Sequence, residues 1–195
     1  LRVGASGTIA AFLLPDVLAA HRRTYPDSLL HVVLRRSEAV LDYLEAGELE
    51  VGLIRLPFRR TSLAIRTLRT ESLYAALPAD HPLAGRDELY LRELADDDVI
   101  MCVSRSEPFY DVVVNLCAED GFEPRVIAEG AEYTTVFRLV GMNVGVSIVS
   151  ASATRHRVEP SPAFVRVAND KATSPVVLVS EEYEALSPIA RRFYD

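Results

Sequence analysis

The stretch LRVGASGTIAAFLLPDVLAAHRRTYPDSLLHVVLRRSEAVLDYLEAGELEVGLIRLP, residues 1–57, decides the fold. Residues 1–5 alternate as a short strand, and Ile9, Phe12, Leu13, Val17 and Ala20 then recur at helical spacing, which predicts one helix over residues 8–22. Residues 29–34 read as a buried parallel strand, Ser37 as the N-cap of a second helix carrying Val40, Leu41 and Leu44, and residues 51–54 as a third strand. The order is β-α-β-α-β. Ser6, Gly7 and Thr8 then stand at the first handover from strand to helix and Ser37 at the second, on the same rim of the sheet. Unpaired N–H groups and the helix macrodipole welcome an anion at such a handover, and ligands of open α/β sheets bind at the carboxyl ends of the strands.

Beyond Pro57 the sequence predicts two extended segments, a loop marked by Pro and Gly, and a short helix. The β-α-β-α order then begins again: a strand over 98–104, a helix over 109–120 ending at Gly121, a strand over 125–129, a helix over 133–140 ending at Gly141, and a strand over 144–149. A short helix over 151–155, strands over 163–167 and 176–180, and a last helix capped by Ser187 and opened by Pro188 complete the chain. Two such runs without a long flexible linker predict two similar lobes. In the second, Ser104 and Ser106 precede a helix, and Tyr133, Thr134 and Thr135 open the next. These are candidate ligand hydroxyls, with Phe109 and Val146 as a candidate apolar wall.

The chain has 195 residues, 49% hydrophobic and 25% charged, enough for one globular domain or two small lobes. A formal charge of -7 argues against this segment gripping nucleic acid by itself, because phosphate binding needs a basic face. Neither a secretory leader nor an apolar span of about 18 residues is visible, so the sequence indicates no membrane partner. Cys102, in a predicted strand, and Cys117, in a predicted helix, fit buried thiols in a reducing cytoplasm better than a disulfide framework. No Cys or His spacing fits zinc, and neither nucleotide-binding glycine motif occurs, so no metal or cofactor is expected. Gly4-Ala5-Ser6-Gly7-Thr8 half resembles a nucleophile elbow, but it lacks the second glycine and lies on the first strand. His21, at a polar helix end, His31, His81, in a Pro-flanked loop, and His156 are scattered, and no catalytic residue is expected.

Four runs, VGASGTIAAFLLPDVLAAHRRTYP, LEAGELEVGLIRLP, LYAALPADHPLAG and LVGMNVGVSIVSASA, occur in an order and spacing that resemble the effector-binding domain of the LysR-type bacterial transcription regulators. The resemblance covers nearly the whole chain. It implies a periplasmic-binding-protein type 2 like α/β fold: two Rossmann-like subdomains, residues 1–72 plus 170–195 and residues 73–169, joined by two crossover strands, with a small-molecule effector in the cleft between them. It also implies a cytoplasmic, non-enzymatic regulatory domain excised from its N-terminal winged helix-turn-helix, through which alone DNA would be contacted. A homo-oligomer is implied too, a dimer of this domain and a tetramer of the full protein, using the helix over 8–22 and the one at Ser37. Arg55 follows the apolar strand of the VGLIRLP run and could pair with a ligand carboxylate, beside the plainer reading of a surface arginine; the run itself is similar to that of the subgroup governing aromatic-compound catabolism, which implies an organic acid, aromatic or unsaturated, as effector.

Plainer readings stand beside these. Serine and threonine before a helix are N-caps first and ligands second, and capping alone would explain Ser37. Phe109 reads as core, Gly141 and Gly145 as turn residues, and the pairs Arg35–Arg36, Arg59–Arg60 and Arg191–Arg192 as solvated. A solute-binding component of a transporter would share the two-lobed fold, although 195 residues is short for that class. A thiol redox sensor would need Cys102 and Cys117 to meet.

Overall fold

In the computed structural model, which describes residues 1–194 apart from 60 and 131, the chain enters on β1 (Arg2–Ala5) and turns through Ser6 into α1 (Gly7–Phe12). The single helix expected over 8–22 is broken. Leu13 leaves the helical path and α2 (Leu14–Thr24) starts afresh, because Pro15 in its first turn has no N–H for the carbonyl four residues back. Next come β2 (His31–Leu34), α3 (Ser37–Glu45), β3 (Val51–Arg55) and β4 (Ala64–Leu77), one 14-residue strand where two extended segments were expected. The remaining elements are β5 (Glu88–Leu89), β6 (Asp98–Ile100), α4 (Pro108–Glu119), β7 (Arg125–Ala128), α5 (Tyr133–Gly141), β8 (Ser147–Ser150), β9 (Ala163–Val167), β10 (Thr173–Ser180) and α6 (Pro188–Tyr194). Short 3-10 turns follow β5 and β8, at Leu91–Leu94 and Ala151–Arg155. Arg60 lies outside the described residues, as do Ala131 and Asp195.

The chain divides into two compact units, Leu1–Thr70 with Pro175–Asp195 and Glu71–Ser174. β4 carries it from the first to the second and β10 carries it back.

In the first unit the strand order is β2-β1-β3-β10. β1 runs parallel to both neighbours, with Val3 opposite Val32 and Val51, and β10 runs antiparallel to β3, with Val177 opposite Ile54. Alternation along these strands divides the apolar side chains between two layers. Val3, Leu53, Val176 and Leu178 pack with Ile9, Leu14, Ala190 and Phe193 of α1, α2 and α6. Ile54, Val177 and Val179 pack with Val40, Leu41 and Leu44 of α3. Two strand glycines let α3 ride close: a Cβ on Gly4 would stand 2.8 Å from Val40 Cγ1, and one on Gly52 2.8 Å from Leu44 Cδ1. The strand expected to be buried, β2, is an open edge paired only with β1. Leu34 and Val32 are 53% and 39% exposed, and Leu29 just before the strand is 86% exposed.

The second unit is built around the far half of β4, which pairs antiparallel with β8 and with β9, while β5 lies parallel to β9. β6 and β7 form a parallel pair, and a bridge from Val99 to Val146 links β6 to the approach of β8. Leu73, Ala75 and Leu77 pack with Tyr110, Val113 and Leu116 of α4, and Ala76, Ile100 and Val149 with Val136, Phe137 and Val140 of α5. β6 ends at Ile100, short of the expected 104, and residues 101–107 form the loop that leads to α4. Gly141 and Gly145 are more than turn residues. A side chain at Gly141 would collide with the Pro160 carbonyl, and one at Gly145 would stand 2.5 Å from the carbonyl oxygen of Asp98. No helix among the described residues is long and apolar enough to cross a membrane.

Candidate functional site

The polar rim of the first unit is assembled from the ends of β1 and β3. The Ser6 N–H donates to the Leu53 carbonyl (3.2 Å), and the Ser6 carbonyl accepts the N–H groups of Ile9 and Ala10 (3.0 and 3.3 Å), which starts α1. Gly7 follows with φ +47°, a left-handed value that favours glycine. Ser6 occupies the N-cap position of α1, yet its side chain caps nothing; its Oγ lies 3.1 Å from Ser37 Oγ. Ser37 is not an N-cap either. Arg36 takes that position and Ser37 becomes the first residue of α3, so capping does not explain its hydroxyl. At the end of β3, Arg55 donates from Nη2 to Thr8 Oγ1 at 2.8 Å. Ser6 and Thr8 are buried, and Ser37 and Arg55 half-buried.

With only six residues, α1 adds little dipole, since the macrodipole sums over aligned peptide units. An anion at this rim would therefore meet chiefly the guanidinium of Arg55, whose planar fork suits a carboxylate. The hydroxyls of Ser6, Thr8 and Ser37 can rotate to donate beside it.

The second unit's candidates fall into two groups. Ser104 Oγ lies 2.9 Å from Ser106 Oγ, and the Ser104 N–H donates to Glu107 Oε1 at 3.4 Å. Arg105 pairs with Glu129 (3.0 Å) and lies over the Tyr110 ring (5.6 Å). The approach to α4 thus carries a carboxylate of its own. At the start of α5, the Tyr133 ring meets Phe137 edge-on, Thr134 Oγ1 lies 2.8 Å from His156 Nε2, and Thr135 is exposed. Phe109 packs against the unit's core, and Val146, 1% exposed, lies inside it. The Thr134–His156 contact escaped the sequence because the two residues are far apart along the chain.

Other titratable groups depart from expectation. His21, read as a polar helix end, is buried: it shares a 3.1 Å hydrogen bond with Ser28 Oγ and packs against Tyr25 and Phe193. Burial, then the positive charges of the amino terminus, Arg192 and Arg22, lower its pKa. Arg59, expected to be solvated, is gathered by carboxylates of α3. Neither cysteine is in a disulfide, and burial followed by the charge of Asp120 pushes the Cys117 thiol up to about 12, which makes it a poor redox sensor. Among the described residues no group of three or more His, Cys, Asp or Glu side chains is placed to hold a metal ion.

Parallel strands closed by an antiparallel return, with polar rims at their carboxyl ends, place this chain in the type 2 periplasmic-binding-like α/β class of ligand-sensing domains. The LysR substrate binding domain model matches residues 1–195, and the chain belongs to that family, the ligand-sensing part of bacterial LysR-type transcriptional regulators. It is 34% identical over 151 residues to the HTH-type transcriptional regulator TtuA of Agrobacterium vitis, covering 76% of this chain and 50% of TtuA. The chain spans about half the length of such curated relatives. The C-terminal domain of a probable LysR family transcriptional regulator from Rhodococcus sp. RHA1 superposes with a TM-score of 0.87 at 27% identity, over 99% of this chain and 95% of that one. The BenM effector binding domain with its effector benzoate gives a TM-score of 0.87 at 23% identity, over 100% of this chain and 88% of that one, a likeness of fold alone. These relatives are transcriptional regulators, and a transport role is not favoured.

Proposed function

We propose that this domain senses a small organic carboxylate through Ser6, Thr8, Ser37 and Arg55, with Gly7 giving the ligand close access to the backbone, and that it performs no chemistry on it. The observation that carries this reading is the pairing of the Arg55 guanidinium with Thr8 beside two serine hydroxyls that face each other and cap no helix. Ser104 and Ser106, with Tyr133, Thr134 and Thr135, are proposed as further polar contacts, and Phe109 and Val146, which belong to the same apolar cluster, as apolar wall. The domain would act as a homo-oligomer in the cytoplasm, and its ligand would shift the regulator between states by binding them with different affinity. DNA would be contacted by residues outside this chain.

The test begins with a thermal-shift screen of small carboxylates, benzoate first, since a ligand at a hundredfold over its dissociation constant adds about 2.7 kcal/mol. Calorimetry on Ser6→Ala, Thr8→Val and Arg55→Gln follows. Losing a hydrogen bond to a charged ligand should cost about 1.5–3 kcal/mol, roughly 10- to 150-fold in affinity, read beside the unliganded melting temperature, which registers the separate loss of the Ser6–Ser37 and Arg55–Thr8 hydrogen bonds. Unchanged affinity in all three variants would remove these residues from the site.

A further inference from the structure

Just beyond the rim lies a cluster of charged side chains around Arg59. The Arg59 N–H donates to Glu38 Oε1 at 2.9 Å, and its Nε lies 3.3 Å from Glu38 Oε2. Its Nη1 and Nη2 reach the two carboxylate oxygens of Glu45 at 3.0 and 2.8 Å, and Nη2 also reaches Asp42 Oδ1 at 2.8 Å. Thr61 Oγ1 donates to Glu45 Oε1 at 2.8 Å. Three carboxylates along one face of a helix repel one another, and a single guanidinium offsets all three. The location gives the cluster its interest. Glu38 directly follows Ser37, and Arg59 stands four residues beyond Arg55 on a segment whose Leu56 and Phe58 pack against the α3 side of the core. Each end of the cluster is therefore only a short length of backbone from a proposed ligand contact.

We infer that Arg59 is a positioning residue: by gathering Glu38, Asp42 and Glu45 it ties α3, from its first turn to its last residue, to the segment after β3, and so sets the spacing between Ser37 and Arg55. This rests on the reading that Ser37 and Arg55 hold the ligand. An isolated surface ion pair would be too weak for the task, but a fork shared among three carboxylates is the geometry in which exposed pairs do hold a conformation. Lysine, a point charge without the fork, should substitute only in part.

The test uses the whole chain with Arg59→Gln and Arg59→Lys, and with Glu45→Gln to cut the fork from the helix side should Arg59→Gln fail to fold. Two readouts are needed: the Nε–H signal of Arg55 in a proton–nitrogen correlation spectrum, and calorimetric titration with benzoate. In Arg59→Gln the Arg55 signal should move and the benzoate affinity fall by about 2- to 30-fold, with smaller changes in Arg59→Lys. An Arg55 signal that stays in place in every folded variant would overturn the inference, whatever the affinity does. If wild-type chain bound no carboxylate while the Arg55 signal still moved, the positioning role would stand and the ligand reading would fall.

Discussion

Single side chains here change meaning with their partners. Ser6 and Ser37 look like helix caps in the sequence, but their hydroxyls meet each other, which leaves them available to a ligand. His21 shows the opposite change, from a surface residue to part of the core beside Phe193. Its lowered pKa has a definite sign. The folded state keeps His21 neutral, so its contribution is intact above the unfolded pKa of about 6.5 and is lost as pH falls from there towards the lower folded value, where the unfolded chain takes up a proton that the native state resists. Urea unfolding midpoints should therefore drop from pH 7 to pH 5, and His21→Gln should flatten part of that slope. A His21→Gln slope identical to that of the parent would place the titration elsewhere.

At the scale of elements, β1, β3 and β9 lie within a residue of where the sequence put them, and the apolar run of β3 is buried on both faces. Helices α4 and α5 were equally legible, since glycine marks the C-terminal end of each. What periodicity missed has physical causes. The break at Leu13 follows from one absent N–H at Pro15 within an unbroken apolar pattern, and the exposure of β2 follows from its place at the sheet edge, which only the strand order reveals. The rim was legible as small polar residues at strand ends, but the Ser6–Ser37 and Arg55–Thr8 pairings depend on how strands that are distant in sequence come together. Glycines that make room were read as turn formers, and Gly145 tests the difference. Gly145→Ala would push a methyl against the Asp98 carbonyl in the link between β6 and β8, an overpacking that should cost about 1–3 kcal/mol of unfolding free energy in urea. A neutral substitution would mean that this strand link can shift freely.

For the whole molecule, the surface left uncovered bears on association. Leu14 of α2 is buried in the first unit's own core, while Val17 and Leu18 pack against it only partly buried, so the helix keeps apolar surface for the association the sequence implied. Val32 and Leu34 on the open β2 edge, with Leu29 just before it, are also exposed and offer a second copy an apolar edge to cover. Val32→Lys with Leu34→Lys should lower the sedimentation coefficient at micromolar concentration, and a parent chain that sediments only as monomer would count against association through this edge. The formal charge of -7 makes a second expectation: the chain alone should show no salt-dependent affinity for DNA in gel-shift assays, whereas a longer protein carrying a helix-turn-helix should bind a partly palindromic site. DNA binding by these residues alone would move the functional boundary. The return of β10 to pair with β3 also has a consequence for biosynthesis. The second unit is one uninterrupted segment that can begin to collapse while the ribosome is still at work, but the first unit waits for Thr173–Ser180 to emerge before β3 gains its antiparallel neighbour. Until then the half that carries Ser6 and Arg55 is a nascent chain with an unpaired strand edge, open to mispairing with another chain.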